Sequence, residues 1–551
     1  MNHAGIIDLV PSELRQHWIE QGLYPNQSVY ALFCDWVAKH PEQAAVLSLE
    51  QTLSYAELHD KVLRLARSFK ELGVMQGDVI AYQLCNTWHC CAIDLAAAAL
   101  GAIVAPFPTG RGRIDIESLI RRCDARVIIT EAEYNKVDLC ELIESLRPRL
   151  LSLRVLISNG VTKKGWHNLD ALFDVEPLEA EKLPQVDPNS PVRFLISSGT
   201  EAEPKWVAYS HNALVGGRGR FLQKIHADGA SFKGLYLMPL GTAFGSSATF
   251  GIISWLGGAV VMLHHFDVAN AIRIIDELKP SHVFGVPTML QRMAADSALA
   301  TADKSSLIAV ISGGASIDEA SIRRCREAFG CAFLNLYGSA DGVNCHSLIT
   351  DPVDVVIRKA GKPNPDVCTI RIIDEQGAEV AQGNVGEITA RGPISPMQYV
   401  NAPDLDETYR DKDGWVYTGD LGFIDTDGYL ILAGRKKDII IRGGANISPA
   451  QIENVANTHP FIVSAACIAV PDPDMGQRVC LCVVARDGAE RPSLSQFNRY
   501  LQEQGLEKNK LPEYLRYYRQ LPLSPAGKVD KKQLAAEVEV IQLPRKQAVG
   551  G

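Results

Sequence analysis

No run of apolar residues in this 551-residue chain is long enough to cross a bilayer. The most apolar stretch, 250–263, is broken by Ser254 and by Gly257–Gly258 and falls short of the ~20 residues a span requires, so it reads as buried helix, turn and strand. Positive charge is not in excess. Lys plus Arg number 55 against 64 for Asp plus Glu, a net −9, which argues against broad nucleic-acid binding and requires that any anionic ligand be met by local positive charge. Metal-type spacings such as Cys-x-x-Cys or His-x-x-x-His are missing, and the His264–His265 pair reads as a polar strand end. The 13 cysteines, including Cys90–Cys91 and Cys480 with Cys482, show no repeated spacing that would suggest a disulfide framework, and an odd number of scattered thiols suits a reducing cytoplasm. The N-terminus, MNHAGIIDLVPSELRQ, has no basic region leading into an apolar run, so no signal peptide is expected. Internal repeats and low-complexity tracts are also lacking.

What is present is the composition of a globular protein, 46% hydrophobic and 22% charged. A single core stops growing near about 250–300 residues, so at least two domains are expected. Residues 54–73 predict an amphipathic helix: Ser54 and Glu57 form a capping box, Leu58, Val62, Leu65, Ala66, Phe69 and Leu72 recur at helical spacing, and Gly73 can end it. The strand-like VIAYQL (79–84) follows. Helix then strand returns at 92–101 and 102–106, at 116–123 and 126–130, and at 269–278 and 282–285. Apolar strands separated by helices imply parallel sheets covered on both faces. After Gly434 the pattern changes to short hairpin-prone units: a strand at 438–441, a Gly443–Gly444 turn, a helix near 449–458, and alternating strands in CIAVPDPDMGQRVCLCVV. The expected fold is therefore α/β, a large N-terminal domain (1–434) of parallel-rich sheets flanked by helices, then a small C-terminal α+β domain (435–540) and a disordered tail (541–551).

Several segments carry chemistry. ISSGTEAEPKW (196–206) follows an apolar run, precedes a helical stretch, and concentrates hydroxyls, a glycine and Lys205 where backbone N–H groups could meet phosphate oxygens. It is not a Walker loop, because Trp206 stands where Ser or Thr would hold magnesium. AVISGGA (309–315) is a strand running into glycines, as needed where backbone approaches a flat base. LNLYGSAD (334–341) ends in an aromatic, a glycine and a carboxylate, so Tyr337 can stack on a purine while Asp341 reaches a cation. YTGD (417–420) sets Asp420 in a turn, where a carboxylate can accept both ribose hydroxyls. SPAGKVDKK puts Lys528 after a Pro-Ala-Gly turn.

In this order the segments resemble the adenylate-forming superfamily of acyl- and aryl-CoA ligases, carrier-protein adenylation domains and luciferases, over nearly the whole chain. WIEQGLYPNQSVYALFCDWVAKHPEQAAV and AVPDPDMGQRVC are similar to stand-alone aryl-acid adenylating enzymes and to cyclohexanecarboxylate- or medium-chain acyl-CoA ligases. The resemblance implies that Ser197, Ser198, Gly199, Thr200 and Lys205 surround the β- and γ-phosphates of ATP, and that Gly313, Gly314, Ala315, Tyr337, Gly338 and Ser339 take the adenine side. It implies that Asp420 holds the ribose with Arg435 beside it, and that Asp341 holds Mg2+. Lys528 matches the lysine that joins the acyl carboxylate to the α-phosphate. Lys437 matches a hinge about which the small domain rotates, bringing Gly443 and Gly444 to a thiol tunnel. The acceptor would be CoA or the phosphopantetheine of an acyl carrier protein; a homodimer is compatible with this reading. Lys508, Lys510, Arg516, Arg519, Lys531 and Lys532 give the small domain basic character suited to such an acidic partner, or simply a solvated basic face.

Three departures stand out. Glu201–Ala202 replace the usual Thr-Gly, which adds a carboxylate near phosphates and removes a glycine. Ala340–Asp341 replace Thr-Glu. Thr242 in MPLGTAFGSS (238–247) takes the place of a gating histidine or aromatic. Thr242, Phe244, Gly245, Ser246 and Gly338 would border an acyl pocket with room for a bulky apolar acid and no carboxylate to pair with an amine; Gly245 equally suits close packing. An aryl, alicyclic or medium-chain carboxylic acid is the expected substrate. Two alternatives fit the same residues: adenylation used for lactone formation or oxidation, and a degenerate nucleotide-binding scaffold.

Overall fold

The capping box written at Ser54 and Glu57 forms. In the computed structural model, which describes residues 5–540 apart from 161–162, 198–203, 227–230, 316, 444, 487, 489 and 524–528, Ser54 accepts from the Glu57 N–H at 3.2 Å and Glu57 accepts from the Ser54 N–H at 2.8 Å. The helix Tyr55–Glu71 follows, burying Leu58, Val62, Leu65, Ala66 and Phe69. The other alternations fold as their periodicity predicts: helix Trp88–Leu100 and strand Ile103–Pro106, helix Arg113–Arg122 and strand Val127–Glu131, helix Val268–Leu278 and strand His282–Gly285. The 250–263 stretch becomes a π-helix, Ala248–Trp255, and a strand, Ala259–Val261. All 13 cysteines are free thiols. No helix among the described residues is long and apolar enough to cross a membrane.

Contacts divide the chain into two units. The first comprises Met1–Ile317, Ser321–Arg371 and Thr389–Thr418; the second comprises Asp318–Ala320, Ile372–Ile388 and Gly419–Gly551. The first holds two large sheets. One has eight strands, with Lys205–Ser210, Pro191–Ser197, Ile103–Pro106, Val79–Gln83, Val127–Glu131 and Val155–Asn159 as consecutive neighbours, parallel from Pro191–Ser197 onward. The other has nine, and its centre runs Ala332–Gly338, Ala309–Gly313, His282–Gly285, Lys233–Tyr236, Ala259–Val261, all parallel. Fully buried strands such as VIAYQ (Val79–Gln83) are what helix-covered parallel sheets require.

In the second unit, Ile462–Asp472 and Gly476–Ala485 pair antiparallel, and Tyr514–Tyr518 joins in parallel. Ile452, Phe497 and Leu501 cover one face of this sheet; Leu534 and Val538 belong to the apolar cluster on the other. The basic residues noted in the sequence are partly neutralised: Lys531 pairs with Glu453 at 2.7 Å and Lys510 with Glu507 at 2.9 Å.

Candidate active site

In the first unit, Ser197 ends one strand and lies opposite Lys205, which begins the next, in antiparallel register. The segment ISSGTEAEPKW is therefore flanked by a strand pair, and the helical stretch expected after it starts only at Ala213. The reason is the run Trp206, Val207, Ala208 and Tyr209, which is buried on both faces and cannot tolerate the polar stripe of a surface helix. Ser198, Gly199 and Thr200, with Glu201 and Ala202, lie outside the described residues.

Lys205 is buried, and its ammonium stands 4.9 Å from the ring centre of Tyr409 and 6.0 Å from that of Tyr399. These aromatic faces stabilise a cation held out of water. The Tyr399 hydroxyl donates to Asp341 Oδ1 at 2.7 Å. Burial, reinforced by the Asp341 carboxylate, pushes the Tyr399 phenol far above its ordinary pKa, so it remains a donor. Tyr399 is itself fixed: its N–H donates to both oxygens of Asp406 at 3.0 and 3.1 Å, and Arg410 pairs with Asp406 at 3.0 Å. One tyrosine thus joins the two residues the sequence assigns to phosphate and metal, with no sequence signal to mark it.

The Tyr337-to-Asp341 segment is held from beneath. Tyr337 and Gly338 end the strand Ala332–Gly338 in register with Cys345 and Asn344. The Tyr209 hydroxyl donates to Ala340 O at 2.8 Å, and Asp341 N–H donates to Ser339 Oγ at 3.1 Å. Arg218, carried on the π-helix Ala213–Gly219, donates to Ser339 O and to Ala243 O, both at 3.2 Å. Arg218 therefore ties the Tyr337–Asp341 segment to the turn around Thr242. One oriented carboxylate beside a hydroxyl suits Mg2+, which takes one or two carboxylates and completes its shell with water and substrate phosphates.

At the turn around Thr242, a Cβ on Gly313 would come within 3.0 Å of the Phe244 ring, so the strand end and Phe244 are in direct contact. Phe244 in turn meets Phe284 edge-on at 6.1 Å. Gly314 has φ +83° and Ala315 is exposed, leaving backbone open to a ligand. Thr242 Oγ1 donates to Pro239 O at 2.8 Å and accepts from Gly245 N–H at 3.0 Å, while Ser246 Oγ donates to Ala243 O at 2.6 Å. These hydroxyls serve their own turn, so Phe244 supplies the character of this face. Gly245 packs tightly against its own turn: a Cβ there would lie 2.6 Å from Pro239 O and 2.7 Å from Leu240 Cα.

A buried ion pair underlies both segments. Arg193, on the strand leading to Ser197, donates to Asp94 Oδ2 at 2.8 Å and to Leu240 O at 2.8 Å, and Tyr82 OH donates to Asp94 Oδ1 at 2.8 Å. Burial pushes the Asp94 carboxyl above its ordinary range while Arg193 pulls it down.

In the second unit, Asp420 lies within the strand Val416–Ile424, not in a turn as the YTGD segment suggests, directly across from Arg435. Pairing to Leu430–Arg435 overrides the turn preference of Thr-Gly-Asp, with Gly419 absorbing φ +68°. Arg435 Nε meets Asp420 Oδ1 at 2.7 Å. Glu387, which the sequence did not single out, accepts from Gly419 N–H at 3.2 Å and pairs with Lys436 at 2.8 Å. Lys437 is exposed in the short helix Lys436–Asp438. Gly443, φ +55°, follows the strand Ile440–Arg442, which pairs with Ala445–Ile447 through Arg442 and Ala445. Gly444 and Lys528 lie outside the described residues; Leu523 and Val529, which bracket the latter, form an antiparallel bridge.

The chain is similar to known proteins over nearly its whole length. A family model described as AMP-binding enzyme matches residues 33–400, and its companion, AMP-binding enzyme C-terminal domain, matches 451–528. The chain is 28% identical over 532 residues to a 2,3-dihydroxybenzoate-AMP ligase of Bacillus subtilis, covering 95% of this chain and 96% of that protein. It is 31% identical over 513 residues to an indoleacetate–CoA ligase of Aromatoleum aromaticum, covering 91% and 98%. Among solved structures, the amide bond synthetase McbA of Marinactinospora thermotolerans aligns with a TM-score of 0.81 at 27% identity, covering 93% of this chain and 100% of that one.

Proposed function

The chain belongs to the AMP-binding enzyme family, and on that premise we propose that it activates an aryl, alicyclic or medium-chain carboxylic acid with ATP and passes the acyl group to a thiol. It is an adenylate-forming ligase. A carboxylate oxygen attacks the α-phosphorus, the bond to the β-phosphate breaks, and pyrophosphate leaves. The thiol of CoA or of a carrier protein's phosphopantetheine then attacks the acyl carbon, AMP departs, and the thiol proton goes to solvent. Bringing two anions together is the obstacle in the first step, so charge neutralisation and alignment carry the catalysis.

The roles follow from residue chemistry. Ser197, Ser198, Gly199, Thr200 and Lys205 hold the β- and γ-phosphates. Gly313, Gly314, Ala315, Tyr337, Gly338 and Ser339 receive adenine, and Asp420 with Arg435 receives ribose. Asp341 holds Mg2+, which when bound neutralises phosphate charge. Thr242, Phe244, Gly245, Ser246 and Gly338 border the acid. Lys528 bridges carboxylate and α-phosphate, Lys437 is the hinge, and Gly443–Gly444 flank the thiol path, with domains taken as 1–434 and 435–540. The observation that supports this most is the link from Lys205 through Tyr399 to Asp341, which holds a phosphate cation and a metal carboxylate at one place. The Phe244–Phe284 face and the aryl-acid relatives support an aryl acid first.

The test is incubation with ATP, Mg2+ and a panel of carboxylic acids, with CoA, with a carrier protein, or with neither, following pyrophosphate, AMP and acyl products. Acid-dependent pyrophosphate release that disappears in Lys528→Ala is expected; full release by that variant would refute the role of Lys528. No release with any acid would favour the binding scaffold. The likeness to an amide bond synthetase favours a second reading in which an amine takes the acyl group; amide rather than thioester in an arm supplied with amines would establish it.

A further inference from the structure

We propose that Cys85, Glu131 and His264 form a binding site for a divalent metal of zinc type, separate in its residues from those assigned to ATP and Mg2+. The ligand atoms of these three side chains all lie within 4.8 Å of one another. No local spacing announces them, because they come from three strand ends. Cys85 follows the strand Val79–Gln83, and Glu131 ends the neighbouring parallel strand Val127–Glu131, in which Thr130 is the register partner of Gln83. His264 follows Ala259–Val261 in the other sheet of the same unit. Asn86 N–H donates to His264 O at 3.1 Å and joins the two loops. The His264–His265 pair, which reads in sequence as a polar strand end, thus gains a different neighbourhood from the tertiary fold.

The donors are held in place. Glu131 Oε1 accepts from Cys85 N–H at 2.9 Å and Oε2 from Asn159 Nδ2 at 2.8 Å, which fixes the carboxylate. His264 Nδ1 lies 3.2 Å from His265 Nδ1, a contact that orients the ring as outer-shell partners of metal ligands do. A thiolate, an imidazole and a carboxylate are the donor types Zn2+ takes, and three protein ligands leave its fourth position to water. Mg2+ prefers an octahedron of oxygens and is a poor competitor here. On binding, the Cys85 thiol gives up its proton to solvent as the metal–sulfur bond forms. Asn86 also donates to Met238 O at 3.1 Å and accepts from Leu240 N–H at 2.9 Å, so an occupied site would stiffen the approach to the acyl-side segment.

The experiment uses the untagged full chain, stripped with a chelator and titrated with Zn2+ by calorimetry in excess Mg2+, and separately loaded with Co2+. One saturable site per chain, a sulfur-to-cobalt charge-transfer absorption, and a raised unfolding temperature with Zn2+ are expected. His264 is exposed, so His264→Ala should fold normally and lower affinity by at least ~10-fold, the lower end of what outer-shell changes already cost; Cys85→Ser should also abolish the absorption. Absence of saturable binding, or unchanged affinity in both variants, overturns the proposal. The second result would move the ion elsewhere, for example to Cys34, whose Sγ lies 3.8 Å from His59 Nε2.

Discussion

Arg193→Met removes the guanidinium from a site where it and Asp94 are each only 1% exposed. The variant leaves Asp94 with the hydroxyls of Tyr82 and Thr249 but no cation, and leaves Leu240 O without its charged donor. Breaking a buried pair by removing one partner costs about 3–5 kcal/mol, because the remaining charge is neither solvated nor compensated. Asp94 can limit that cost by taking up a proton, since burial already pushes its pKa upward. A loss on the order of 3–4 kcal/mol is therefore expected, a large share of the roughly 5–15 kcal/mol that holds a typical domain folded. Urea unfolding at neutral pH, followed by tryptophan fluorescence, measures it as a midpoint shift multiplied by the slope of the transition. The double variant Asp94→Leu/Arg193→Met should recover most of the loss, because an apolar pair of similar volume has no charge to desolvate. Both variants should show a raised KM for the acid, since Leu240 O lacks its anchor in each. A single variant losing less than ~1 kcal/mol, or a double variant no better than the single, would refute the reasoning.

Tyr399→Phe deletes the donor to Asp341 Oδ1 and, on the proposed role of Asp341 at Mg2+, should lower kcat/KM by about 10-fold or more, the worth of one hydrogen bond to a charged group, with a steeper Mg2+ requirement; unchanged kinetics would refute a catalytic part for this hydrogen bond. His211 is fully buried, accepts from Val29 N–H at 3.2 Å, and burial lowers its pKa to about 3. The unfolded chain binds a proton there below ~6.5 while the folded chain does not, so stability is full above that pH and falls as pH drops, by about 1.4 kcal/mol per unit. His211→Gln should therefore lose about 2 kcal/mol less than the parent between pH 6.5 and 5 in urea titrations, and equal losses would refute it. Gly245→Ala places a methyl group 2.6 Å from Pro239 O; it should cost about 1–3 kcal/mol of stability and raise KM for the acid without changing KM for ATP.

Much of this protein is legible along the chain. The helix at Tyr55–Glu71, its cap, and the repeated helix-strand alternation follow from local periodicity and hydrogen-bonding side chains, which act within a few residues and so can be read in order. The family resemblance is carried by other short segments, such as those at 196–206, 334–341 and 417–420, which can also be read in order. Where local preference competed with pairing it lost. YTGD became strand because Asp420 faces Arg435, and the segment after the Ser-Gly-Thr loop became strand because Trp206 to Tyr209 are buried on both sides.

Only the tertiary structure could bring Tyr399 to Asp341 across 58 positions, or Arg193 to Asp94 across 99. Nothing local marks such partners, since a hydrogen bond between distant segments depends on strand order and register. Cys85, Glu131 and His264 make the same point. Each is an ordinary residue after an apolar run, and they become a donor set only when the carboxyl ends of three strands meet.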